Sequence, residues 1–213
     1  MEKNRWSTLL PSLDDVQEKD SRQDAVDPEA VEVLSGATKP QVGLTFPERE
    51  GLGEVLTDGV GVHWVGAHGG SGETTLQELL GGRACSHRWP RVSKESPHET
   101  VPVLLVARRN QRGMAAASKV AREWASGSHS DVELLGLVLI DDAPGKIPRS
   151  LQHQAKVLAG AVPRTWILPW IEDLRVHGEV DSGTLGRSTE KILASISEVV
   201  EEHNPRLKGQ RND

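Results

Sequence analysis

The residues with the clearest chemical potential stand together at His68-Gly69-Gly70-Ser71-Gly72-Glu73-Thr74-Thr75, where a short apolar run breaks into glycines and resumes as a helix. Glycines let the backbone turn tightly and bring several N–H groups toward one point. A helix starting there adds its unpaired first-turn donors and the positive end of its dipole. Such a point attracts an anion, and a phosphate is the anion it fits best. Gly69, Gly70, Ser71, Gly72, Glu73, Thr74 and Thr75 are therefore the candidate nucleotide- or anion-binding residues.

In the phosphate-loop pattern G-x-x-x-x-G-K-[ST], a lysine reaches the β- and γ-phosphates and the next hydroxyl holds Mg²⁺. Here Glu73 takes the lysine's place. The stretch resembles the deviant Walker loop K-G-G-x-G-K-[ST]-[ST] of the ParA/MinD partitioning ATPases: every glycine and both hydroxyls coincide. The family's signature lysine falls on His68 and its phosphate lysine on Glu73, so both cations are gone. The chain also resembles a bacterial family of unknown function with an H-G-G-x-G-E-[ST]-T loop, from about Trp64 to Trp170.

These resemblances imply an α/β fold, a P-loop NTPase-like parallel sheet flanked by helices, and the place of the site, but no reaction. In the partitioning ATPases, strands carrying the switch aspartates and the Walker B aspartate lie between the phosphate-loop helix and the strand resembling Val103 to Ala107. This chain has only the connection from Arg83 to Thr100 there, with no apolar run ending in aspartate. The comparison implies a sheet reduced in strand number and lacking hydrolytic equipment. Leu137 to Asp141 passes for a Walker B strand by local pattern, with Asp141 on a metal. By order along the chain it matches instead the later strand whose end meets the purine base, and Asp141 and Asp142 also suit an ordinary strand-end turn.

The glutamate matters energetically. An ion pair at about 4 Å with an effective dielectric near 20 is worth roughly 4 kcal/mol, so repulsion in place of attraction shifts the interaction by about 8 kcal/mol before screening. Micromolar affinity corresponds to only about −8 kcal/mol. Unless Glu73 is protonated, turned away or paired, a nucleoside triphosphate does not bind tightly in the usual pose. Arg108, Arg109 or Arg112 offers a replacement cation; alternatively, one of them neutralises Glu73 and fills the anion site with the protein's own carboxylate.

Alternating elements position these groups. Gly61 to Val65 reads as the first buried strand and Thr74 to Leu80 as a helix closed by Gly81-Gly82. Val101 to Ala107 is continuously apolar, as a strand covered on both faces must be. Met114, Ala117, Val120, Ala121 and Trp124 recur at helical spacing. A strand follows over Leu134 to Ile140, then a helix face at Leu151, Ala155, Leu158 and Ala159, then a short strand over Thr165 to Pro169. Ile192, Leu193, Ile196, Val199 and Val200 line the last helix. In sheets of this kind ligands sit beyond the C-terminal strand ends, which gathers the glycine loop with rim residues His68, Arg108, Arg109 and Asp141.

The polar stretch 1–47 reads as a disordered acidic N-terminal arm in which Trp6, Leu9, Leu10 and Leu13, and further on Val31, Val33 and Leu34, offer apolar anchors for a protein partner. Residues 48–203 are the expected α/β domain and 204–213 a flexible tail. Within the domain, Leu44 to Gly59 reads as an irregular lead-in or edge strand, Arg83 to Thr100 as a long connection, and Trp89 as an exposed anchor. A net charge of −6 with a pI near 5.8 argues against nucleic-acid binding through a broad basic face. A single cysteine, Cys85, and no apolar run long enough for a membrane span suit a reducing cytoplasm. The dispersed histidines carry no metal-ligand spacing, so no metal site is expected, and no catalytic residue is assigned. The expected function is a non-hydrolysing interaction or regulatory module with a protein partner and a possible homodimer. The competing expectation is a nucleotide-binding ParA/MinD-like ATPase, with ATP and Mg²⁺ as cofactors, drawing its cation from Arg108, Arg109 or a partner chain.

Overall fold

A computed structural model describes residues 33–41, 43–47, 51–96, 99–176 and 185–204. Trp6, Leu9, Leu10, Leu13, Val31 and the tail from 205 lie outside the described residues. Val31–Asp213 forms one compact unit. The described elements are β1 (Leu34–Ser35), β2 (Gly53–Thr57), β3 (His63–Gly66), α1 (Glu73–Leu80), β4 (Arg83–Ala84), β5 (Arg88–Val92), β6 (Val101–Arg108), α2 (Gln111–Ala125), β7 (Val132–Ile140), α3 (Arg149–Ala159), β8 (Arg164–Leu168), α4 (Glu172–Val176) and α5 (Arg187–Glu202).

A six-stranded sheet runs β1-β8-β7-β6-β3-β4, parallel throughout except for β1, which pairs antiparallel with β8. β6 is buried along nearly its whole length because it is flanked by β3 and β7 and covered on both faces, which its unbroken apolar run requires. Along each strand the side chains alternate between two cores. Val65, Leu105 and Leu139 face α2 and α3, whereas Trp64, Leu104 and Val138 face α1 and α5. The register between β6 and β7 slips after Val103, so that Leu104 lies opposite Gly136. A Cβ at Gly136 would run into the Trp166 ring and the Arg164 carbonyl, so only glycine lets β8 lie that close.

The structure moves several expected boundaries. Leu34 and Ser35, inside the stretch expected to be unstructured, cover the edge of β8, and Gly36 and Ala37 donate backbone hydrogen bonds to Pro163 and Gly160. Val33 packs on the α5 side of the core. The connection from Arg83 to Thr100 holds two strands, and β5 pairs in parallel with β2 as a separate two-stranded sheet. Trp89, expected at the surface, is fully buried and stacks on His129 with centroids 4.8 Å apart. The alternation β5 needed to look like a strand is interrupted by Pro90.

Buried polar side chains tie the small sheet down. The Glu123 carboxylate accepts from the Leu52 N–H at 3.0 Å and from His129 Nε2 at 2.9 Å. His63 donates from Nδ1 to the Gly61 carbonyl, leaving Nε2 to accept from the Thr57 hydroxyl at 2.7 Å. From β3 the chain passes to β4 on one side, and β6 lies on the other. Strand order reverses there, which opens a crevice beyond the ends of β3 and β6.

Candidate functional site

The glycine loop leaves β3 and reaches the start of α1 through two residues in the left-handed region, Gly70 at φ 74° and Gly72 at φ 106°. A Cβ at Gly72 would also come within 2.8 Å of Ile140 Cδ1, so glycine is required there twice over. No side chain caps α1, and the N–H groups of Glu73, Thr74 and Thr75 take no protein acceptor among the described residues. The helix start therefore presents open donors, with the Thr74 hydroxyl exposed beside them.

Glu73 does not share that outer face. Its carboxylate folds back under the loop and accepts the Gly66 N–H at 2.7 Å and the His87 N–H at 3.4 Å. A Cβ at Gly66 would approach this carboxylate to 3.1 Å and overlap the Ser71 hydroxyl, so the bare glycine makes the space. Ser71 Oγ is buried there without a hydrogen-bond partner. Beneath the loop the burial of the Cys85 thiol, with the Glu73 charge beside it, pushes its pKa up to about 12. A thiol held protonated at ordinary pH is a poor nucleophile.

His87 is a site residue that sequence reasoning missed. Ser86 and His87 both adopt positive φ, 52° and 63°, between β4 and β5. That strained turn costs on the order of 1 kcal/mol per residue. It aims the His87 N–H at Glu73 and lets Nδ1 donate to the Gly66 carbonyl. No local pattern signals this role, because the contact spans from the loop to a turn that reads as connection.

The cations of the rim are committed elsewhere. His68 Nε2 accepts the Arg108 backbone N–H at 3.1 Å, so Nδ1 carries the ring hydrogen and donates to the Gly69 carbonyl at 2.9 Å. In that arrangement the imidazole brings no charge to the loop. Gly113 leaves the room for it, since a Cβ there would lie 2.9 Å from Nε2. Arg108 lays its guanidinium along the loop, donating from Nε to the Gly70 carbonyl at 3.2 Å and from Nη1 to the Asp141 carbonyl at 3.4 Å. Burial pushes its pKa down, Asp142 pulls it partly back, and Arg175 pushes it down again.

Arg109 and Asp141 form a two-pronged ion pair, with Nη2 to Oδ2 at 2.8 Å, and both side chains are almost entirely buried. Glu73 forms no ion pair with an arginine among the described residues, so the alternative in which Arg108 or Arg109 neutralises it is replaced by backbone capture. Asp141 is tied to an arginine, and its neighbour Asp142 accepts from Asn110 Nδ2 at 2.7 Å. Asn110 also caps α2 by accepting from the Gly113 N–H at 2.7 Å. His68, Arg108, Arg109 and Asp141 thus meet on one rim with the loop, held by β6 and β7. Among the described residues no three histidine, cysteine, aspartate or glutamate side chains converge on a metal position.

No curated protein and no solved structure matches the chain. Residues 60–201, from the residues before β3 into the last helix, match the family of unknown function DUF6668. The chain belongs to that family.

Proposed function

We propose that the protein is a non-hydrolysing, phosphate-loop-like interaction or regulatory module, a degenerate relative in kind of the ParA/MinD ATPases. The observation that carries the reading is the Glu73 carboxylate, at the lysine's place in the pattern, held by the Gly66 N–H. It puts a negative charge under the loop where the chemistry calls for a positive one. His68 brings no compensating charge and Arg109 is taken by Asp141. The strand β6 next to β3 ends in Arg108 and is followed by Arg109, where no carboxylate stands to hold Mg²⁺ or orient water. The protein acts by contact, with a protein partner or a second copy of the chain, in a reducing compartment.

A second reading rests on Arg108, whose guanidinium lies over Gly70 and Gly72 beside the open helix donors. There it substitutes for the lost lysine, and the loop binds and hydrolyses nucleotide as a ParA/MinD-like ATPase. Turnover separates the two. Purified protein with ATP or GTP and Mg²⁺ is expected to release no phosphate above a Glu73→Ala control. Clear turnover that disappears in Thr74→Ala would overturn the non-hydrolysing reading.

A further inference from the structure

A cavity of about 510 Å³ opens on the α1 side of the strand ends, a volume within the range of small-molecule sites. Its wall is mixed, with an apolar part made by Leu76 and Leu79 from α1, Leu168 at the end of β8, and Trp170, Ile171 and Leu174 beyond it. Charged groups of both signs enter it, Arg108 and Arg175 beside Asp141 and Asp142. Arg108 and Arg175 both line the cavity, and they lie close enough for Arg175 to push down the Arg108 pKa.

Neither arginine forms an ion pair with a carboxylate among the described residues. Of the two carboxylates in the lining, Asp141 is paired with Arg109, whereas Asp142, whose charge acts on Arg108, accepts from the Asn110 amide. Two guanidinium groups brought together repel each other; Asp142 offsets part of the positive charge at Arg108, and an anion between the arginines offsets the rest. The polar groups of the wall besides the arginines are Thr75 and the two aspartates. Thr75 supplies one hydroxyl, and the Trp170 indole N–H is spent on Glu172 at 2.6 Å. Beyond the arginines a ligand meets the apolar side chains of Leu76, Leu79, Leu168, Ile171 and Leu174, with Thr75 and Asp142 at the polar side.

We propose that this cavity binds a small amphipathic anion, an apolar body of roughly bicyclic size carrying a carboxylate or phosphate held between Arg108 and Arg175. The site adjoins the glycine loop and shares Gly72, Thr75 and Arg108 with it, and its occupation by a non-nucleotide ligand gives an interaction module something to sense. Probe binding and nucleotide turnover are separate events, so either this inference or the non-hydrolysing reading can fail alone.

The test is calorimetric titration of the full chain with 2-naphthoate, 2-naphthyl phosphate, 2-naphthalenemethanol and inorganic phosphate. One or both naphthyl anions are expected to bind saturably at one site, and which of them binds identifies the head group. The uncharged alcohol and bare phosphate should each bind at least about tenfold more weakly, as loss of a charge-assisted contact or of apolar burial requires. Arg175→Ala, at an exposed position, and Leu79→Asp should each weaken the anion by about tenfold or more. Absence of binding by both anions, unchanged affinity in Arg175→Ala, or equal binding of bare phosphate and naphthyl phosphate would overturn the proposal.

Discussion

At the scale of single residues, Glu73 is an acceptor before it is a charge. Removing it leaves the buried Gly66 N–H without its partner, a cost of about 1–3 kcal/mol, while a glutamine keeps one carbonyl oxygen for the same bond. Glu73→Ala is therefore expected to lower the thermal midpoint by several degrees, at roughly 2–4 °C per kcal/mol for a domain of this size, and Glu73→Gln by less. Glu73→Lys removes the acceptor and sets a cation under the loop beside the Gly66 N–H, so its midpoint should fall furthest. It should partly recover with pyrophosphate, since a ligand that binds only the folded state stabilises it. Thermal melts of the three variants check this order. Equal midpoints for all of them would mean that the Gly66 contact contributes nothing.

At the scale of elements, Glu123 on α2 holds the lead-in to β2 through Leu52 and reaches His129 beyond the helix. Burial pushes its carboxyl pKa up, but the hydrogen bonds from His129 and the Leu52 N–H more than offset this and hold it below the usual 4.5. A carboxyl depressed in the folded state adds stability that is fully present above its unfolded pKa and is lost as pH falls through the folded value. The midpoint gap between the natural protein and Glu123→Gln should therefore shrink as the pH falls from about 5 toward 3. Melts across that range read it directly. A gap that grows as the pH falls below about 5 would reverse the sign assigned to this carboxylate.

At the scale of the whole molecule, the domain starts earlier than its composition suggests. The compact unit begins at Val31, and β1 closes the exposed edge of β8. An open edge strand costs paired hydrogen bonds and invites association. A chain truncated after Ala30 is expected to melt as the full chain does. One truncated after Gln41 loses β1 and the Gln41 N–H bond to the Ala125 carbonyl, and should melt lower and tend to self-associate. Melting and light scattering on both truncations distinguish these outcomes. No helix among the described residues is long and apolar enough to cross a membrane.

What could be read from the order of residues was local. The unbroken apolar run of β6, the helical spacing of α2 and α5, and the glycines that make the turn before α1 each declare their conformation within a few positions, because periodicity and backbone freedom act over that range. The α/β class followed, and so did the gathering of His68, Arg108, Arg109 and Asp141 at one rim. β1 and β4 were not legible because two residues carry no periodicity, and β5 because Pro90 interrupts it and its partner β2 is remote in the chain. The partners of the charged groups were decided only by the tertiary structure. Glu73 had several arginines in prospect, yet strand order placed Asp141 against Arg109, the Gly70 carbonyl against Arg108, and the strained turn at His87 under the loop. A hydrogen-bonding group takes whichever partner the packed elements bring within about 3 Å, and that competition is settled across the sheet, not along the chain.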